Sequence, residues 1–218
     1  MGRKSKKNRN EFYDYIMGNL FPVDKKSKVI VEGNLEYQVI DKTSCKLIGY
    51  KTKSKIKSKL EIPNKIKNMQ VVSIGEQAFS SLDNLKKVIL PEGLIEICPK
   101  AFNWCRNLSE INFPSTLKSI GYWAFECCDK LFSESKNIFE MPLSLEVIGN
   151  SAFSDCFSIE KIIIGKNIKY IGDGCFSGDH RLKYVNFEKN NSIKLGRGVF
   201  YNCLSLKTTS SKYDMSVI

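Results

Sequence analysis

Eight cysteines and a single histidine are the residues of this 218-residue chain best suited to metal binding or nucleophilic chemistry. Their spacing speaks against both. No pair is spaced as Cys-x-x-Cys, and His180 alone cannot complete a Cys/His zinc set. Cys105, Cys128, Cys156 and Cys203 each follow a phenylalanine by three residues, and Leu82 and Asp179 take the same place elsewhere. A position that accepts either Cys or Leu is a packing position, because a free thiol behaves as a small buried hydrophobe. Cys98 and Cys175 also occupy recurring positions, which leaves Cys45 and Cys127 outside them. Reduced thiols are the economical reading. There is no glycine-rich phosphate loop and no nucleophile–base pair. The chain therefore reads as non-catalytic, with no cofactor and no metal.

A second chemistry-bearing set is Lys51, Lys53, Lys55, Lys57 and Lys59. In an extended segment these ammonium groups line one face about 7 Å apart. Such a row repels itself unless an anion lies along it. Lysines of this kind also guard an edge strand against unwanted pairing. The formal net charge of +11 is concentrated nearby: residues 1–28 carry +5, residues 29–41 carry −3, residues 42–67 carry +8, and the remainder only +1. A basic segment on a neutral body suits nucleic acid or another polyanion.

The elements that position these residues are repeats. Ile74-Gly-Glu-Gln-Ala-Phe79 returns at Ile97–Phe102, Ile120–Phe125, Ile148–Phe153, Ile171–Phe176 and Leu195–Phe200. The phenylalanines are 23, 23, 28, 23 and 24 residues apart. A fixed period in this range means stacked short coils. Each coil also carries a short alternating run, such as Val88-Ile-Leu-Pro91 or Ile111-Asn-Phe-Pro114, whose first and third residues point inward. The expected fold is a β-rich repeat solenoid of stacked short parallel strands. Five extra residues within 132–140 should leave the third coil as a surface loop.

Four segments follow. Residues 1–28 form a basic tail, unstructured over 1–10, with a short helix over 11–21 that covers the first coil or docks in a partner groove. Residues 29–60 form a capping β-hairpin (strands 35–40 and 45–50) and the lysine-rich strand. Residues 61–207 hold six repeats, and 208–218 form a polar tail. A tail so polar is a weak cap, so a dimer through the C-terminal end is an open alternative. With no hydrophobic leader and no membrane-spanning run, the expected location is the cytoplasm.

The run Leu108, Ile111, Phe113-Pro114, Leu117, Ile120-Gly121, Ala124-Phe125, Cys128, Leu131 resembles the BspA-type, or Treponema pallidum-type, leucine-rich repeat. The resemblance covers roughly residues 35–206. It implies a right-handed solenoid with a concave parallel sheet and a hairpin at its N-terminal end. It also implies a role in protein binding, often at a cell surface. An adhesin whose leader is missing is therefore an alternative to a cytoplasmic protein. The leading expectation is a protein–protein interaction module with two candidate surfaces. One is the outward sheet face: Lys87, Ile89, Glu110, Asn112, Glu140, Lys161, Ile163, Tyr184 and Asn186. The other is the aromatic loop side: Trp104, Tyr122, Trp123 and Tyr201. Polyanion binding through Lys51, Lys53, Lys55, Lys57 and Lys59 is the alternative.

Overall fold

The computed structural model describes residues 27–52, 57–189 and 193–207, and they fold as a β-solenoid without helix. The readings made for residues 1–26 and 208–218, including the helix over 11–21, lie outside the described residues.

The chain enters as an antiparallel meander of β1 (Val29–Glu32), β2 (Leu35–Val39) and β3 (Ser44–Tyr50). The β2–β3 hairpin is as expected. Its turn is held by Asp41, whose Oδ1 accepts from Thr43 N at 2.7 Å and Ser44 N at 2.8 Å. Strand β1 is an addition. Its signal is the two-residue Gly33-Asn34 connection, with Gly33 at φ 61, a composition that favours a tight hairpin. Cys45, expected outside the core, is fully buried with Tyr37 and Leu47, because alternation along β3 turns both Cys45 and Leu47 inward.

After β4 (Lys59–Glu61) comes a short antiparallel hairpin of β5 (Lys65–Ile66) and β6 (Met69–Ile74). Each later coil then contributes two strands. The Ile-x-Pro type runs form β7 (Lys87–Ile89), β9 (Glu110–Ile111), β11 (Ile138–Glu140), β13 (Lys161–Ile164) and β15 (Tyr184–Phe187). The residues just before the glycine position form β8 (Glu96–Ile97), β10 (Ser119–Ile120), β12 (Val147–Ile148), β14 (Tyr170–Ile171) and β16 (Lys194–Leu195). This second series was read only as core positions, yet it builds the longest sheet, in the order β1-β2-β3-β6-β8-β10-β12-β14-β16. The Ile-x-Pro series is instead split into β4-β7-β9 and β11-β13-β15. The break coincides with the five extra residues of the third coil.

A third ladder runs through the turns around each phenylalanine. The amides of Lys100, Phe102 and Trp104 donate to the carbonyls of Tyr122, Ala124 and Glu126 in the next coil at 2.8–3.0 Å, and the same pattern repeats along the solenoid. Aiming these amides at one neighbour requires left-handed backbone two residues before and two after the phenylalanine. Lys100 and Trp104 have φ 55 and 62, Trp123 and Cys127 have 55 and 57, and Gly174 and Gly178 have 60 and 79. A non-glycine residue there costs roughly 1–2 kcal/mol, which the inter-coil hydrogen bonds offset.

The core lies between these three ladders. Phe79, Phe102, Phe125, Phe153, Phe176 and Phe200 stack in one column, with centroids 5.2–5.7 Å apart and ring planes within 19° of parallel. The cysteine thiols do more than fill space. Cys105, Cys128, Cys156 and Cys203 each donate to the carbonyl of the preceding coil's phenylalanine at 3.0–3.2 Å. The glycine position is set by contact and not by dihedral angle. A Cβ at Gly149 would lie 2.4 Å from Tyr122 N, and one at Gly172 2.4 Å from Asn150 N. Cys98, a residue without positive φ, occupies the same position one coil earlier than Gly121.

Gly149→Ala should lower stability by about 1–3 kcal/mol through this backbone collision. Gly165→Ala, whose Cβ would meet nothing nearer than 3.7 Å, should be close to neutral. Phe125→Ala, at the centre of the ring column, should cost about 3–5 kcal/mol. Urea unfolding followed by circular dichroism measures all three.

Candidate functional site

The outward face of the Ile-x-Pro strands carries the sheet residues in two separate groups. On the first, Lys59, Lys87 and Glu110 are in register, as are Glu61 and Ile89. Lys87 pairs with Glu110, and Lys59 with Glu61 at 3.0 Å. Asn112 is committed to the backbone: its Oδ1 accepts from Leu90 N at 2.8 Å and its Nδ2 donates to Leu90 O at 3.0 Å. On the second group, Ile138, Lys161 and Tyr184 are in register, with Glu140, Ile163 and Asn186 beside them. Tyr184 is 49% exposed, and Lys207 lies over its ring at 5.7 Å from the centroid. Below it, Glu160 accepts from Arg181 at 2.6 Å and Lys183 at 2.8 Å. The hydrogen bond from Lys183, then that from Arg181, holds its carboxyl below the usual range.

Between the two groups, where β9 and β11 fail to pair, lies a cleft of about 420 Å³. It is lined by Ile111, Phe113, Phe132, Ile138, Met141 and Leu143, with Ser135 and Glu140 at its polar side. Phe113 fills part of the gap, 5.4 Å from the Phe139 ring. Leu143, 57% exposed, stands at the rim. It was missed because the same position in other coils holds Glu92, Ser115 and Lys166, which mark it as a polar loop position.

The aromatic residues of the turns do not form one surface. Trp104 and Trp123 are exposed, each on left-handed backbone, with Arg106 over the Trp104 ring at 4.9 Å and Lys100 over the Trp123 ring at 4.8 Å. Tyr122 packs edge-on to Trp123 at 5.1 Å and joins a small buried cluster with Val147 and Tyr170, so it is only partly exposed. Tyr201 is four coils from Trp104. Exposed Leu204 follows it in the same coil, and exposed Phe157 stacks on His180 at 5.6 Å two coils earlier. The lysine stripe is not one continuous strand in its described part. β3 ends at Tyr50 and β4 begins at Lys59, so exposed Lys51 and Lys57 lie outside strands, while Lys53 and Lys55 fall outside the described residues.

The thiols and buried carboxyls follow one rule: burial disfavours the charged form. Desolvation pushes the Cys98, Cys105 and Cys203 thiols up to about 12. Cys127, the one cysteine not buried, is raised to about 11 by desolvation and then by Glu126, Asp155 and Asp129. A thiolate nucleophile is thus disfavoured at each. Glu96, buried in β8, accepts from Ser73 Oγ at 3.0 Å and is raised by desolvation despite Lys46. Asp179 is fully buried in the position that cysteine holds in other coils. Its Oδ1 accepts from Cys156 N at 2.7 Å, its Oδ2 has no partner, and burial raises it well above the ordinary carboxylate value.

Stacked parallel strands and a phenylalanine column define a leucine-rich-repeat solenoid. The BspA type leucine rich repeat region matches residues 52–133 and 129–218, in six copies, and the chain belongs to this family. Among solved structures it is similar to a T. pallidum leucine-rich repeat protein, with 26% identity over 83% of this chain and 91% of that one, at a TM-score of 0.63. It is also similar to a leucine rich cell surface protein of Faecalibacterium prausnitzii (21% identity, 84% of this chain and 54% of that one, TM-score 0.70). A third is the pneumococcal vaccine antigen PcpA (21% identity, 85% and 50%, TM-score 0.63). The chain spans about half the length of these last two, and the likeness to them establishes the fold alone. No curated protein matches it. No described helix is long and apolar enough to cross a membrane.

Asp179 keeps its proton in the folded chain at pH values where the unfolded chain has released it. Its contribution to stability is therefore highest below the ordinary carboxylate pKa and falls as pH rises above it. Asp179→Asn, which keeps the acceptor for Cys156 N and cannot ionise, should melt higher than the parent at pH 7. The two should converge below about pH 4. Thermal unfolding across this pH range measures the effect.

Proposed function

We propose that this chain is a non-catalytic protein-interaction module that engages its partner with the outer face of β11-β13-β15 and the adjoining cleft. The observation that supports this reading is the continuity of Ile138, Ile163 and Tyr184 with the cleft residues Phe113 and Leu143. A half-exposed aromatic residue and aliphatic side chains beside a concavity, rimmed by Glu140, Lys161 and Asn186, match the anatomy of a binding hot spot. The family supports a protein-binding role at this coarser level. Display outside the cell is a second location to the cytoplasm, suggested by the F. prausnitzii leucine rich cell surface protein that shares this fold.

Polyanion binding is the second reading, supported by the exposure of Lys51 and Lys57 in a segment of net charge +8. Salt separates the two. Phosphate contacts weaken steeply as salt rises, whereas burial of Ile163 and Tyr184 does not depend on it.

Tyr184→Ala with Leu143→Ser should reduce capture of the native partner by about tenfold or more, equivalent to at least about 1.4 kcal/mol, with circular dichroism unchanged. Trp104→Ala with Trp123→Ala should leave capture intact. Loss with the tryptophan pair alone would move the site to the turn side. Affinity capture from the native cell, with and without nuclease, is the measurement.

A further inference from the structure

Strand β1 is the terminal strand of the longest sheet, and its outer edge is unusual. The β1–β2 register is Val29↔Gln38, Ile30↔Tyr37, Val31↔Glu36 and Glu32↔Leu35, and Val39 N donates to Lys28 O at 2.9 Å. In an antiparallel pair, residues exchanging hydrogen bonds alternate with residues that do not. The bond to Lys28 sets the phase. Lys28, Ile30 and Glu32 turn their backbone groups toward β2, while Val29 and Val31 turn theirs to the outer edge, which no described strand covers. Those two valines are also 49% and 44% exposed. An apolar, unpaired edge normally carries charge or a bulge that blocks association, and here Val29 to Val31 has neither.

The partner this edge fits is another copy of itself. We propose that two chains pair antiparallel through β1, with the two-fold axis at Ile30. This register sets Val29 against Val31 of the second copy, twice. Both pairs then use these outward backbone groups, which supplies four inter-chain hydrogen bonds. It sets Ile30 against Ile30 as the intervening pair and brings Lys28 opposite Glu32 at both ends. The strand Lys28-Val-Ile-Val-Glu32 is thus complementary to its own reverse in charge as well as in apolar character. Moving the register by one residue puts Glu32 against Val29 and loses the charge match. Ile30 already packs against the core on the Tyr37 side, so the dimer extends one sheet across the axis. The contact is short, so the dimer is weak and concentration-dependent. The excess positive charge of residues 1–28 opposes it until salt screens that charge. This surface is separate from the partner-binding face proposed above and from the C-terminal end.

Light scattering over a concentration series at moderate salt tests the proposal on the full chain. The parent should dimerise progressively. Val31→Pro should abolish dimerisation while the chain stays folded, since the amide it removes faces the outer edge and not β2. Lys28→Glu should weaken the dimer and Lys28→Glu with Glu32→Lys should restore it. Ile30→Cys should form an inter-chain disulfide, because the two copies' Ile30 Cα atoms would stand about 4.5 Å apart, whereas Val29→Cys should form it far more slowly. A chain that stays monomeric throughout the series overturns the proposal. So does a dimer indifferent to Val31→Pro, or equal cross-linking at both cysteine positions.

Discussion

Apart from the break between β9 and β11, each described coil lies one hydrogen-bond spacing from the next on three sides at once. Two of these sides are parallel sheets and the third is the turn ladder around the phenylalanines. Adjacent strands sit about 4.8 Å apart, and that distance sets what each recurring position will hold. Phenylalanine rings at this spacing stack nearly parallel and fill the widest part of the coil. At the glycine position the backbones come close enough that a Cβ at Gly121, Gly149, Gly172 or Gly196 would meet backbone nitrogen at 2.4 Å. The turn ladder is kept continuous by pairs of left-handed residues, whose conformational cost is offset by the amides they aim at the neighbouring coil. Cysteine completes the arrangement by donating its thiol proton to a phenylalanine carbonyl, a bond that leucine at position 82 cannot make.

The same constraint explains where variation is tolerated. Five extra residues in the third coil leave β10 and β12 in register and the phenylalanine column intact. They separate β9 from β11, and the gap is filled partly by Phe113 and Phe132. A solenoid can lose one of its three ladders locally because the other two still hold the coils together. What it gains is a concavity beside the outer face of the Ile-x-Pro strands. The outer residues of that face differ from coil to coil, and they decide what the surface can recognise.

Titratable groups inside the solenoid are exceptions to its apolar pattern. Asp179 stands where a thiol would donate, and it retains one good acceptor contact, to Cys156 N. Glu96 keeps one bond to Ser73 and the nearby charge of Lys46. Burial raises the pKa of both carboxyls. Neither lies on the outer face of the Ile-x-Pro strands or in the cleft, so their influence is on stability and not on recognition.

The coil, its period and its core were legible in the residues alone, because a period of 23 or 24 with Ile, Ala, Phe and Cys at fixed places is a local property of the chain. The β2–β3 hairpin was legible for the same reason, from alternation on either side of the Asp41–Ser44 turn. Strand β1 was marked by Gly33-Asn34 and went unread. Other features depended on partners about 23 residues away, which local periodicity does not specify. The residues before each glycine form the longest sheet only because the neighbouring coil presents the matching pair. Asn112 is bound to the Leu90 backbone, and Tyr122 turns from an exposed aromatic into a packed one, for the same reason. The split of the Ile-x-Pro sheet and the cleft beside it were also decided by tertiary structure. A loop length in the sequence says that residues are added, while the stacking of coils determines which ladder breaks.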